Sequence, residues 1–305
     1  MAHSRPSVPP CRSARAHRTG LSGLVCSRRM ALPLAGQTVL ITGGGSGIGR
    51  LMALGAAERG ASRVDIWDLS ASAGDAVAEE VRDRGARADA CAVDVSDRAA
   101  VTAAAALAGE VDVVINNAGV VTGARLLDAD PDAIERTYRV NCLSLYWVTR
   151  AFLPGMAARH HGTVVTIASA AGLVGVARQT DYSASKFAAF GFAESLRAEM
   201  RKERTGVNSL VVCPFYIDTG MFEGASTKVP LLLPILRPED VATKTLDAIE
   251  AGRAQVVLPP FVRVTPLARA LPPRAFDWVV DTLGITDSMD HFVGRAGSRP
   301  GRGRV

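Results

Sequence analysis

Residues 37–60 read QTVLITGGGSGIGRLMALGAAERG, and this stretch decides the fold. QTVLIT (37–42) is a short apolar run ended by glycines, the pattern of a buried strand. It passes directly into Thr42-Gly43-Gly44-Gly45-Ser46-Gly47-Ile48-Gly49, and IGRLMALGAAERG (48–60) follows with helical spacing. Glycines suit a turn this tight when the backbone has to approach a pyrophosphate closely. The helix start then offers unpaired N–H groups and the positive end of a dipole. A glycine run alone is also what a flexible loop looks like. The complete strand–turn–helix context favours the phosphate-cradling reading, with Thr42, Gly43, Ser46, Gly47, Ile48 and Gly49 as candidate contacts.

Outward from this turn, apolar runs alternate with helix-length segments, the signature of a parallel sheet covered on both faces. SRVDIWDL (62–69), ADACAVDV (88–95), VDVVINNAG (111–119), GTVVTIAS (162–169), GVNSLVVCP (206–214) and AQVVLP (254–259) read as further strands, about seven in all. Long helices are predicted from Pro131 to about Ala158, from about Asp181 to Glu203, and near 238–251. The fold class is therefore α/β, a doubly wound parallel sheet. No internal repeat or linker divides the chain, so one domain is expected over 31–293, including a C-terminal extension from about residue 261. Within that extension a short amphipathic helix is predicted around Phe276–Leu283. It would dock on the domain, on a second subunit or on a membrane surface, with core packing preferred.

The formal charge of +5 is concentrated at the ends. Six arginines in 1–30 and four in 294–305, with no acid in either stretch, leave the remainder at about −5. Both ends are expected to be disordered. Residues 1–30 read either as an Arg- and Ser-rich targeting segment or as sequence upstream of a true start at Met30, the latter preferred. The folded part has no basic face, so no nucleic-acid partner is expected. The five cysteines are odd in number, widely spaced and without a CxxC pair, which argues against a zinc site or disulfide framework and for a reducing, cytoplasmic setting. His, Met and Trp show no ligand spacing, so no metal is assigned. No run of eighteen apolar residues predicts a membrane span.

Asp68 ends the second strand, nineteen residues after Gly49. A carboxylate there can bond both adenosine ribose hydroxyls and repel a 2′-phosphate, and no basic residue lies within Gly43–Gly49. Arg50 is expected to face away in the helix. NAD is preferred to NADP on this ground, the alternative being that Asp68 is a solvated strand end. Tyr182 and Lys186 stand four apart in a helix and share a face. A tyrosine of ordinary pKa is a poor base at neutral pH, and a nearby ammonium is expected to lower that pKa towards working range. The Tyr-x-x-x-Lys spacing is common by itself. Ser169 at a strand end, Asn141 in the preceding helix and the glycine turn make it specific.

With these residues in place, residues 36–260 resemble the short-chain dehydrogenase/reductase family. Its TGxxxGxG turn corresponds to Thr42–Gly49, its Asp after the third strand to Asp94, its NNAG motif to Asn116–Gly119, and its catalytic tetrad to Asn141, Ser169, Tyr182 and Lys186. The resemblance implies a Rossmann fold, with Tyr182 as general acid/base and Ser169 bonded to the substrate oxygen. Lys186 would bind the nicotinamide ribose and Asn141 hold a water linking Lys186 to solvent. Asp94 would contact the adenine, and Asn117 and Gly119 would support its ribose and the sheet. Val95, Ala118, Pro214, Ile217 and Thr219 complete the implied cofactor contacts. The chain departs from the family at Phe215, where most relatives have glycine. TGGGSGIGRLMAL, VDIWDL, RTYRVNCLS and VCPFYIDTGMF are most similar to the retinol and 17-beta-hydroxysteroid dehydrogenase subgroup.

The resemblance thus implies an NAD-dependent oxidoreductase that interconverts an apolar alcohol and its carbonyl, as a homodimer or homotetramer, with peripheral membrane contact left open. The segment after Thr219 supplies apolar side chains, from Met221 and Phe222 to Leu231, Leu232, Leu233, Ile235 and Leu236, for a substrate lid. An ordinary packed loop is the plainer reading. Two other functions compete: an NADP-dependent ketoacyl-type reductase, which would want a basic residue near the turn, and a non-catalytic dinucleotide-binding protein, which would typically lack the Tyr or Lys.

Overall fold

The computed structural model describes residues 32–294. The disorder expected of 1–30 lies outside these residues. Of the expected C-terminal tail only Gly294 is described, and its N–H donates to the Glu223 carbonyl at 3.2 Å.

Seven strands form one parallel sheet: β1 (Thr38–Thr42), β2 (Arg63–Asp68), β3 (Arg87–Ala92), β4 (Val113–Asn116), β5 (Gly162–Ile167), β6 (Val207–Pro214) and β7 (Gln255–Leu258). Their order is β3-β2-β1-β4-β5-β6-β7. The central strands read as apolar runs because both faces are covered. Val39 and Ile41 of β1 and Val113 and Ile115 of β4 pack into one core, whereas Leu40 and Val114 between them point into the other. The first core is closed by α1 (Gly47–Glu58), α2 (Ala71–Arg82) and α7 (Pro238–Glu250). The second is closed by α3 (Arg98–Ala108), α5 (Ser144–Ala158) and α6 (Thr180–Glu203), with α4 (Pro131–Tyr138) leading into α5. The alternation along β1 and β4 fixes their register.

The helix predicted over Pro131–Ala158 is real in extent but not uniform. Arg139–Leu143 winds as a π turn between α4 and α5. Such turns insert one residue into a helix and recur at functional sites, and this one carries Asn141. The C-terminal extension forms α8 (Thr265–Ala268) and α9 (Pro273–Thr282), with α9 starting three residues before the predicted Phe276 because Pro273 takes its first position. Among the described residues no helix is long and apolar enough to cross a membrane.

Strand order reverses between β1 and β4. In open α/β sheets the loops leaving the two strands at such a point diverge to opposite faces and open a crevice at the carboxyl ends. The glycine turn after β1 and the Asn117-Ala118-Gly119 segment after β4 form the two sides of that crevice.

Candidate active site

The crevice has a volume of about 270 Å³ and runs from Asp68 and Asp94 at one end to Tyr182, Phe215 and Phe222 at the other. Its floor is the glycine turn. Ser46, the N-cap of α1, is extended and makes no side-chain capping bond, so the first-turn N–H groups have no side-chain partner there. Gly49 is held to glycine by space: a Cβ would collide with the Gly43 carbonyl and lie 2.6 Å from Asn117 Nδ2. The turn is braced from behind. Asn117 Nδ2 donates to the carbonyls of Thr42 (2.9 Å) and Gly43 (3.0 Å), while Thr42 Oγ1 accepts from the N–H groups of Asn117 (3.0 Å) and Ala118 (3.1 Å). Both amide hydrogens of Asn117 are therefore committed to the backbone. Thr42 is buried behind the turn and does not line the crevice, unlike the other glycine-turn candidates.

Asp68 lines the same crevice and is tethered to the turn. Its Oδ2 accepts from Gly45 N at 2.9 Å and its Oδ1 from Ser70 N at 3.0 Å. Each oxygen keeps a further lone pair for another donor. Arg50, the cation nearest the turn, does face away: its Nε donates to Glu80 Oε1 of α2 at 2.8 Å. Asp94 accepts from Ser96 N at 2.9 Å and lies with Val95 on the crevice wall. Ala118, Gly119, Pro214, Ile217 and Thr219 line it as well.

At the other end α6 buries a stripe spaced three to four residues apart, Tyr182, Lys186, Ala189, Ala193, Leu196 and Met200, against the sheet. Tyr182 and Lys186 thereby reach the carboxyl end of β5. Lys186 Nζ donates to the Ile167 carbonyl at 2.9 Å and lies 5.6 Å from the Tyr182 ring centre. Ser169 Oγ accepts from Ala171 N at 3.1 Å and donates to the Pro214 carbonyl at 3.4 Å, which fixes it beside the phenol. Asn141 stands behind them. Its Oδ1 accepts from Val120 N (2.9 Å), and its Nδ2 donates to the Val120 carbonyl (2.9 Å) and Ser185 Oγ (3.0 Å).

The electrostatics differ from the sequence expectation. Burial pushes the Tyr182 phenol above its ordinary range, opposed by the neighbouring Ser169 hydroxyl. Burial also lowers the Lys186 ammonium to about 8. Desolvation disfavours the charged form of both groups and outweighs the expected pull of the lysine on the tyrosine. Within the folded chain Tyr182 is thus held as a neutral phenol, a proton donor, near pH 7.

One expectation for the substrate end needs correction. Of the apolar residues after Thr219, Met221 and Phe222 line the crevice. Leu231 is 98% exposed, and Leu232 and Ile235 are also exposed, while Leu233 is buried in the core beside Val262. A turn closed by the N–H groups of Leu232 and Leu233 on the Val229 carbonyl rotates these side chains away from the site. Sequence reasoning also missed the C-terminal stretch after α9. Met289 is fully buried in a cluster with Tyr182 and Tyr216, with Phe222 and Phe292 packed against it. Nothing local in that stretch signals this packing, since Phe222, Tyr216 and Tyr182 lie far from Met289 in the chain.

The chain was compared with known proteins. The family model described as short chain dehydrogenase matches residues 37–230. Epidermal retinol dehydrogenase 2 of Mus musculus is 44% identical over 269 residues, 86% of this chain and 87% of that protein. A short-chain dehydrogenase/reductase from Burkholderia phymatum in complex with NAD superposes with a TM-score of 0.71 at 27% identity, over 78% of this chain and 95% of that one. A metagenomic short-chain oxidoreductase in complex with NADP gives a TM-score of 0.62 at 30% identity, over 74% and 97% of the two chains. The chain belongs to the short-chain dehydrogenase/reductase family and is an NAD(P)-dependent oxidoreductase acting on CH–OH donors.

Proposed function

We propose that this protein oxidises a lipophilic alcohol of the retinoid, steroid or long-chain type with NAD, and can run the reverse reduction. The observation that carries the reading is the single crevice that joins Tyr182, Ser169 and Lys186 to the glycine turn and Asp68, with Phe215, Met221 and Phe222 at its outer end. The likeness to a retinol dehydrogenase supports the choice of alcohol.

The residues fit a dinucleotide. Uncapped N–H groups at the start of α1 suit its phosphates, and Asp68 keeps acceptor capacity for ribose hydroxyls. Bound there, the nicotinamide supplies the acceptor or donor of hydride. Ser169 and Tyr182 hold the substrate oxygen between them. In reduction Tyr182, already protonated, gives its proton to the carbonyl oxygen. In oxidation Tyr182 must first give up its own proton; its phenolate then takes the hydroxyl proton, and the buried Lys186 ammonium offsets part of the cost of that anion. Asn141 anchors the 120 loop and Ser185 behind the lysine, and through a water it would pass the proton on towards solvent.

Asp68 gives the cofactor test. Wild type is expected to show higher kcat/KM with NAD than with NADP on retinol, and Asp68→Ala to narrow that ratio by about ten- to a hundredfold, the size of one close like-charge contact. Equal or better efficiency of wild type with NADP would overturn the preference. An unchanged ratio in Asp68→Ala would confine the carboxylate to holding the turn.

A further inference from the structure

Behind the crevice wall lies a buried polar pair that the reaction itself does not use. Tyr216 is 6% exposed and Ser288 2% exposed, and their hydroxyls are 2.8 Å apart. Ser288 Oγ donates to the Ile285 carbonyl at 2.7 Å, so its one hydrogen is spent and the phenol of Tyr216 is the donor between them. Gln179, fully buried at the start of α6, lies close enough to this phenol to ease its ionisation, yet neither amide atom completes a hydrogen bond in good geometry. Burying polar groups is costly unless they are paired, and an apolar pair would fill this space without that cost. What the pairing adds is orientation.

The orientation reaches the reacting group. The Tyr216 ring packs on Phe215 at 4.6 Å and on Phe222 at 5.1 Å, and Phe222 stands edge-on to Tyr182 at 5.6 Å. Phe222 sits on a loop that is itself tied to the C-terminal stretch. Ser226 N donates to the Ser288 carbonyl at 2.9 Å, and Val293 N to the Glu223 carbonyl at 2.8 Å. The same stretch reaches the opposite lip of the crevice, where Phe292 lies so close over Gly123 that no side chain fits there. The stretch therefore spans both loops that flank the substrate end.

We propose that Tyr216, oriented by Ser288, determines substrate size selection: it is a positioning residue that fixes Phe222 against Tyr182, so that the C-terminal stretch sets which apolar alcohols fit. This rests on the oxidoreductase reading above.

Tyr216→Phe and Ser288→Ala each remove the hydrogen bond with little loss of volume, in the full chain. For wild type and both variants, kcat and KM are measured with retinol and with a short secondary alcohol such as 2-butanol, and NAD affinity by titration. Expected is a roughly tenfold fall in the retinol-to-butanol efficiency ratio, the worth of one lost hydrogen bond. The fall should reside in KM for retinol, with kcat within about threefold and NAD affinity within about twofold of wild type. A structural role alone would lower both efficiencies together, and that parallel loss, or an unchanged ratio, overturns the inference while leaving the enzyme reading intact. A wild type with no preference for the larger alcohol overturns it too. A wild type that turns over neither alcohol with either cofactor overturns the reading and the inference together.

Discussion

Tyr182→Phe is expected to lower turnover by about 10²–10⁴-fold while NAD affinity stays within a few-fold of wild type. The substitution removes one oxygen and keeps the ring, which packs on Phe222 and in the cluster with Met289, so the fold has little reason to change. In the proposed mechanism it deletes the group on α6 that exchanges a proton with the substrate oxygen. The glycine turn and Asp68, at the far end of the crevice, are untouched. Steady-state kinetics with a fluorescence titration of NAD separates the two effects. Turnover within tenfold of wild type would remove Tyr182 from proton transfer. A loss of NAD affinity as large as the loss of rate would instead show that the variant disturbs the whole crevice.

Efficiency is expected to climb steeply along a series of straight-chain secondary alcohols. The outer wall near Tyr182 is Phe215, Met221 and Phe222, with no charged side chain among them. Each ligand CH₂ buried against such a surface contributes about 0.8 kcal/mol. Five added methylenes then favour the longer alcohol by about 4 kcal/mol, close to a thousandfold. Phe222→Asp should flatten the series, because the new carboxylate would have to be desolvated beside the alkyl chain. Leu232→Asp should not, since Leu232 faces solvent. A flat wild-type profile, or better turnover of small polyols, would show that these aromatics serve only as core.

Much of this was legible in the chain because the informative signals are local. Val39, Leu40 and Ile41 ending in Gly43 announce β1 and its turn, and the four-residue spacing of Tyr182 and Lys186 places both on one face of α6. Parallel strands buried on both faces also leave long apolar runs, so β4, β5 and β6 could be found without knowing their partners. What failed depends on distance in sequence or on burial. The π turn at Asn141 carries no composition cue distinct from an ordinary helix. The exposure of Leu231 and the burial of Leu233 follow from a single turn on Val229. Tyr182 was expected to lose its proton more easily, whereas its burial, set by residues from four separate segments, does the opposite. The bracing of the segment after β4 by the Thr42 hydroxyl likewise has no local cue.

The most direct test of hydride transfer from a lipophilic alcohol is isotopic. Retinol carrying two deuteriums at its carbinol carbon is incubated with the protein and NAD, and the reduced cofactor is examined by mass spectrometry. Direct transfer between the two molecules held in this crevice predicts reduced nicotinamide one mass unit heavier than that from unlabelled retinol, with the label retained in deuterium-free water. Reduced cofactor without the label, or no reduction of either NAD or NADP by retinol, would contradict the account.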